Sequence, residues 1–277
     1  MKKLELKANS IRMSIIRMLT EAKSGHPAGS LGMADIFTAL YFKIMKHDPK
    51  NPSTEDRDRL VLSNGHICPV LYASLAEAGY FPKEDLMTLR KVGSAFQGHP
   101  HAGSVPGVEN SSGPLGQGIS MAVGMALVAK REKRPWRVYA MLGDGEINEG
   151  QAWEAFLLAP KYNLDNLVAV IDRNNIQIDG TSDDVLPLEP LTEKFSSFGW
   201  NAIVIDGNNM NAILHAFSLA QGCKDKPSVI IANTVSGKGV SFMEKKFGWH
   251  GKVPKPEEAE AALKELAEER KKLEGSA

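Results

Sequence analysis

Two cysteines in 277 residues, Cys68 and Cys223, are too few for a disulfide framework, which makes a reducing, cytosolic setting the expectation. The formal net charge is zero, so electrostatics make no case for a nucleic-acid partner or an anionic membrane surface. No apolar run approaches the length of a membrane span. Met1-Lys2-Lys3 has the basic start of a signal peptide, but Glu5, Lys7, Arg12 and Arg17 interrupt every apolar core behind it, so none is expected. The GxxxxGK[ST] spacing of a P-loop is missing, and no GxGxxG follows the first strand, which argues against a dinucleotide-binding domain. No two histidines have the close helical spacing of a zinc pair, so no zinc site is expected. There is no internal repeat and no low-complexity linker.

What is present is an alternation of helix-period and strand-period segments. Helices are predicted over residues 4–22, 31–45, 69–78, 118–130, 151–160, 189–198 and 206–221. Strands are predicted over 60–63, 137–142, 167–171, 200–205 and 228–233. Alternation of this kind predicts an α/β domain with a parallel sheet and helices on both faces. Residues 91–113 are rich in Gly, Pro, Ser and His with little apolar periodicity, and a loop that long in a compact domain is usually functional or disordered. Residues 179–184 read as a polar loop opened by an Asp179-Gly180 turn. The expected domain is 1–254; residues 255–277 read as a peripheral helix with a thin stripe of Ala259, Leu263, Leu266 and Leu273, ending in a frayed Gly275-Ser276-Ala277.

The sequence is organised around Gly143-Asp144-Gly145-Glu146-Ile147-Asn148-Glu149-Gly150, a strand-to-helix turn. The next strand ends in Asp172-Arg173-Asn174-Asn175. In a parallel sheet both termini reach the carboxyl edge, where open α/β folds bind ligands. Glycines flanking Asp144 let a large anion approach the backbone, and the helix beyond offers free N–H groups. Asp144 brings one hard anionic donor and Asn174 one amide oxygen. That set is too small for an all-protein cage, but it suits a Mg²⁺ or Ca²⁺ that takes its other ligands from a diphosphate and water.

Four histidines lie in loops beside Gly or Pro: His26, His66, His99 and His250. His101 shares the loop of His99, whereas His47 and His215 lie in ordinary surface or helical contexts. The four follow successive elements of the pattern, so they are placed to line one cleft. As neutral imidazoles they suit proton transfer at sugar hydroxyls near pH 7. The run Gly113-Pro114-Leu115-Gly116-Gln117-Gly118 opens a helix and can hold a diphosphate or a flat ring by backbone contact, or simply start the helix. Glu149 falls in the first turn of the central helix, where the dipole favours a carboxylate.

The paired GDG…NN pattern resembles the thiamine-diphosphate motif. SGHPAGSLG, LSNGH, QGHPH, SSGPLGQGIS, GDGEINEGQAWEA, DRNNIQIDG and GWHG occur in the order transketolases use, up to about Lys252. The resemblance covers the diphosphate-binding (PP) domain. It implies the thiamin diphosphate-binding fold and the N-terminal subunit of a split transketolase of pentose phosphate metabolism. The cofactors implied are thiamine diphosphate and Mg²⁺ or Ca²⁺, and the reaction is transfer of a two-carbon ketol unit from a ketose phosphate to an aldose phosphate. The glutamate that activates the cofactor would come from a separate chain carrying the pyrimidine-binding and C-terminal domains, giving a heterotetramer.

The resemblance also assigns roles. Asp144, Asn174 and the carbonyl of Ile176 would bind the metal. Gly145 and Asn174 would hold the diphosphate, and His66, Gly113, Pro114 and Leu115 would line the cofactor site. His250 would touch both diphosphate and substrate, and His26 and His99 would reach sugar hydroxyls. Glu149 would face the partner's activating carboxylate. Two departures from the family pattern are Ser236, where an apolar residue is usual, and Pro27-Ala28, where Pro-Gly is usual. The alternatives are the N-terminal half of a deoxyxylulose-phosphate synthase and a non-catalytic cofactor-binding subunit. The first would not carry the SGHP, QGHP and GPLGQG set together, and the second would not need every loop histidine.

Overall fold

The computed structural model describes residues 1–178 and 180–275; Asp179 of the expected turn and the last two residues of the expected frayed end lie outside the described residues. The chain runs α1 (Lys2–Ala22), α2 (Pro27–Gly32), α3 (Ala34–Ala39), β1 (Arg59–Leu62), α4 (Cys68–Ala78), α5 (Gln117–Arg131), β2 (Val138–Gly143) and α6 (Gly150–Lys161). It continues through β3 (Leu167–Arg173), α7 (Ser182–Val185), α8 (Leu191–Ser197), β4 (Asn201–Asp206), α9 (Met210–Gly222), β5 (Ser228–Asn233) and α10 (Pro256–Gly275). The five strands form one sheet in the order β1-β2-β3-β5-β4, and every described pairing is parallel. Among the described residues no helix is long and apolar enough to cross a membrane.

Alternation along β2 decides which helices cover which face. Tyr139 and Met141 join the core beneath α1, α3, α4 and α9, while Val138, Ala140 and Leu142 join the core beneath α5, α6 and α8. All six residues of β2 and all seven of β3 are buried, as central parallel strands covered on both faces must be. Helices therefore stand on both faces, as the alternation predicts.

Several elements differ locally from expectation. The helix predicted over 31–45 begins earlier, at Pro27, whose fixed φ suits a first helical position. It breaks at Met33 into α2 and α3, and Leu40–Ile44 closes it as a π turn. The polar loop expected after residue 179 contains α7, capped by the Thr181 side chain accepting from Asp184 N. β3 runs on through Arg173, so Asp172 is a strand residue rather than part of a turn. α10 packs against α1: Ala259, Ala262 and Leu266 are buried in the larger core, and Asn9 Nδ2 donates to Leu266 O at 2.9 Å.

Candidate active site

The carboxyl ends of β1, β2 and β3 open onto a cavity of about 340 Å³. It is lined by His26, His66, His99 and His250, by Asp144, Gly145, Asn174 and Ile176, and by Gly113 and Leu115. Four separate backbone devices deliver the histidines. His26 is the extended N-cap of α2 and its carbonyl accepts from Ser30 Oγ at 2.8 Å. His66 sits in the 3-10 turn between β1 and α4. His99 comes from the long loop before α5 and lies against Gly113, whose φ of 150° favours glycine there. His250 closes the 3-10 turn Phe247–Trp249. The ring of His26 lies 5.3 Å from His66, 5.5 Å from His250 and 6.5 Å from His99, and His66 lies 5.3 Å from His250.

Burial drives these imidazoles toward neutrality. His26 is pulled down to about 4, by burial first and then by His250, Arg90 and His99. His66 is pulled down to about 3, by burial and then by its histidine neighbours. His99 and His250 are lowered too, both chiefly by burial. Neutral rings can both donate and accept a hydrogen bond, as transfer at a hydroxyl requires. An unfolded His66 titrates near 6.5 and the folded one about 3, so between those values the unfolded chain binds more protons. Stability from this group is therefore lost as pH falls from 6.5 toward 3, on the order of 2 kcal/mol by pH 5. Asp172, raised to about 7, has the opposite sign, losing stability as pH rises through 7. The check is differential: thermal unfolding of wild type and His66→Gln at pH 7 and pH 5 should show the smaller acid-side fall in the variant. Equal falls would remove His66 from the acid response.

Asp144, directly after β2, caps the 3-10 turn Gly145–Asn148. Its Oδ1 accepts from Gly145 N at 2.8 Å, and its Oδ2 accepts from Asn175 N at 2.7 Å and Arg173 Nη1 at 3.2 Å. Burial raises its pKa, and those hydrogen bonds and the Arg173 charge oppose the rise. Asn174 Oδ1 accepts from Ile176 N at 2.9 Å, an Asx turn that curls the chain over the strand end. Its Nδ2 donates to Asp172 Oδ2 at 2.8 Å. Asp172 is fully buried, also accepts from Thr234 Oγ1, and is pushed up to about 7, by burial foremost.

The cavity also contains residues the sequence patterns did not single out. Glu146, 2% exposed, accepts from Ser63 Oγ, from Gly116 N at 2.9 Å and from Gly143 N at 3.0 Å, tying the glycine-rich loop to the ends of β1 and β2. Its place in GDGEINEG was the available signal; its burial was not readable there. Asn64, in the LSNGH segment, is buried with neither amide atom hydrogen-bonded, and His26 Nδ1 is likewise buried without a partner. Buried polar atoms normally find partners, so these point to a bound group. Gln177 joins the lining too; it sits inside the DRNNIQIDG segment but had no role assigned to it.

Two expected residues do not line the cavity. Pro114 and Glu149 are exposed beside it, and Glu149 is the N-cap of α6 with its Cβ 2.9 Å from where a Gly116 Cβ would stand. His101 is exposed in a separate open cleft next to His99. His47 is more than a surface residue: it stacks on Tyr80 and lies 2.6 Å from Tyr41 O. The two departures from the family pattern lie in adjoining segments: Gly237 N donates to Ala28 O at 2.9 Å, directly after the buried Ser236.

Comparison with known proteins agrees with this geometry. The family described as "Transketolase, thiamine diphosphate binding domain" matches residues 4–273. The chain is 41% identical over 271 residues to one of the subunits of the apulose-4-phosphate transketolase of Phocaeicola vulgatus, covering 98% of this chain and 96% of that one. It is 44% identical over 266 residues to the 6-deoxy-6-sulfo-D-fructose transketolase subunit SqwG of a Clostridium species, covering 96% and 97%. Against human transketolase it is 40% identical over 267 residues, covering 94% of this chain and only 41% of the human protein. The crystal structure of Campylobacter jejuni transketolase superposes with a TM-score of 0.86 at 32% identity, over 99% of this chain and 48% of that one. The chain belongs to the transketolase family, as its thiamine diphosphate-binding domain.

Proposed function

We propose that this chain is the diphosphate-binding subunit of a two-subunit transketolase, which moves a two-carbon ketol unit from a ketose phosphate to an aldose phosphate. The observation that carries the reading is the convergence of four neutral imidazoles with the Asp144 and Asn174 strand ends on one cavity. The residues fit thiamine diphosphate with a divalent cation. Gly145 lines the cavity at a turn, the unpartnered Asn64 amide offers hydrogen bonds to the cofactor, and the unpartnered His26 Nδ1 is left for the substrate. Among the described residues no three His, Cys, Asp or Glu side chains converge as a metal-binding group. A cation would then rest on Asp144, the Asn174 oxygen and the Ile176 carbonyl, with the diphosphate completing its shell. Mg²⁺ and Ca²⁺ both accept such oxygen donors.

When bound, the thiazolium supplies the carbanion chemistry that breaks and remakes the bond between sugar carbons 2 and 3. The chain's own residues position and move protons. His26 and His99, whose rings lie 6.5 Å apart, face the sugar's hydroxyls. His250, packed against both His26 and His66, bridges substrate and diphosphate. Glu149, exposed at the head of α6, faces the activating carboxylate of the partner. The two relatives that are themselves subunits are matched over nearly their whole lengths, which supports a separate pyrimidine-binding chain as that partner.

His26→Ala and His99→Ala should each lower kcat by roughly a hundredfold or more, the range of a lost general acid–base. Cofactor affinity should stay within about threefold, since neither ring is assigned to the diphosphate. The measurement is steady-state ketol transfer with the partner chain, alongside calorimetry with thiamine diphosphate. Wild-type kinetics with a lowered melting temperature would sink the catalytic reading of these rings.

A further inference from the structure

The imidazole cluster is assembled from loops far apart in sequence, and one side chain spans two of them. Arg90 Nη1 donates to Ser24 Oγ at 2.9 Å, two residues before His26, and Arg90 Nη2 donates to Gly98 O at 3.2 Å, one residue before His99. An ideal Cβ on Gly98 would sit 2.5 Å from the guanidinium carbon and 2.5 Å from Nε, so the guanidinium lies across the space a side chain there would need. Position 98 must therefore lack a side chain for Arg90 to reach over it. The glycine ahead of His26, Gly25, has its own Cβ direction blocked by Leu19, with Arg90 Nε 3.9 Å away. Arg90 holds φ at 60°, the left-handed region that a long side chain rarely adopts, and its N–H donates to Phe96 O at 2.9 Å. The His99 loop is also held from α4, where Cys68 Sγ donates to Gly98 O and Tyr72 OH to Gln97 O. Among the described residues, the hydrogen bonds that join that loop to the His26 loop run through Arg90.

We propose that Arg90 is a positioning residue: its guanidinium straps the His26 loop to the His99 loop and so fixes the separation of the two imidazoles that face the substrate. The catalytic half of this proposal rests on the ketol-transfer reading above; the structural half does not. The strap also has an electrostatic signature. The charged or titratable groups acting on His26 are His250, Arg90 and His99, with His66 stacked edgewise, and on His99 the acting charge is Arg90. His250 is lowered by burial alone. A fixed cation beside an imidazole disfavours its protonated form.

The test is ring-resonance titration of the histidines by NMR in the full isotope-labelled chain, without cofactor or partner. Resonances are assigned from His26→Gln, His99→Gln and His250→Gln. Arg90→Met should raise the midpoints of His26 and His99 and leave His250 in place as an internal control. Arg90→Lys keeps a charge but cannot reach Ser24 and Gly98 together. With the partner chain it should lose on the order of tenfold in kcat at unchanged cofactor affinity, as a misplacement of the rings predicts. If Arg90→Met does not fold, Ser24→Ala removes the strap's anchor at the loop surface and should lower kcat several-fold at an unchanged melting temperature. A folded Arg90→Met with unmoved His26 and His99 midpoints overturns the strap, as does one in which His250 moves equally. Wild-type kcat in Arg90→Lys and Ser24→Ala overturns the positioning role while leaving the ketol-transfer reading intact. A pair that shows no ketol transfer even with wild-type Arg90 fails that reading and leaves the NMR result to decide the strap.

Discussion

Asp144→Ala should abolish cofactor-dependent activity and weaken Mg²⁺ binding in the presence of thiamine diphosphate by about a hundredfold or more, with the fold intact. Asp144 is the anionic protein donor in the proposed metal set, and a hard dication gains far more from a carboxylate than from the amide of Asn174 or the carbonyl of Ile176. The fold should survive because the buried cation next to it keeps other partners. Arg173 also pairs with Asp183 at 2.7 Å and Glu189 at 3.4 Å. What the variant loses is the acceptor for Gly145 N and Asn175 N, a cost of about 1–3 kcal/mol if those groups stay dry, less where water enters. Calorimetry on wild type is the companion measurement. Mg²⁺ should bind weakly alone and tightly with thiamine diphosphate, because the protein supplies only part of its shell. Equal affinity with and without the diphosphate would mean that the protein alone holds the ion, and would remove the shared coordination.

The fold was legible in the sequence where side-chain period and burial agree. β5 matches its predicted span over 228–233, and β2 and β3 are displaced by one or two residues at their ends. Those strands are buried on both faces, so their apolar runs are continuous and bounded by Gly, Asn or Asp. The early helices were less legible. α2 ends on Gly32 and the break falls at Met33, but an isolated glycine within a helical pattern is often tolerated, so the sequence did not mark the break clearly. α10 reads as a thin stripe of Ala259, Leu263, Leu266 and Leu273 because Ala262 looks too small to count. Against α1 the smallness of Ala259 and Ala262 permits close approach, and Leu266 is fully buried as a result.

The site divides in the same way. His26, His66, His99 and His250 stood out because small residues flank each of them, and for His99 that flanking has a physical cause: a side chain at Gly98 would meet the Arg90 guanidinium. Asp144 and Asn174 stood out because strand ends converge in a parallel sheet. Glu146, Asn64 and Asp172 sat inside the same motifs, yet their importance depends on burial and on partners brought from other strands. Glu146 is held by groups at positions 63, 116 and 143, and no spacing rule in one segment contains that information. Arg90 was invisible for the same reason, being a surface-type residue whose partners lie 66 and 8 positions away.

The largest expected effect belongs to the partner. The chain alone should show no ketol transfer, should bind thiamine diphosphate poorly, and should self-associate weakly or form dimers. Adding a chain of the pyrimidine-binding and C-terminal type should create activity, in an assembly with two copies of each as the simplest symmetric form. The rim of the cavity supports this. Leu115, Ile178 and Val185 line it while remaining 38%, 74% and 48% exposed. On α5 next to it, Met121 is 40% exposed, and a Cβ on Gly124 would meet nothing within 4 Å. Apolar side chains gathered at the mouth of a polar cleft, with an open glycine on the adjacent helix, suit close approach by another protein surface. Glu149 stands exposed on the same side, at the head of α6. The four imidazoles and the Asp144 wall can hold and position, but no carboxylate in the chain is assigned to activate the cofactor's aminopyrimidine. The decisive measurement is an activity titration of this chain against the partner, with assembly mass followed by light scattering. Full ketol transfer from this chain alone, in a preparation shown free of any second polypeptide, would falsify the two-subunit reading. Activity that rises with partner and saturates at equal numbers of the two chains is the expected result.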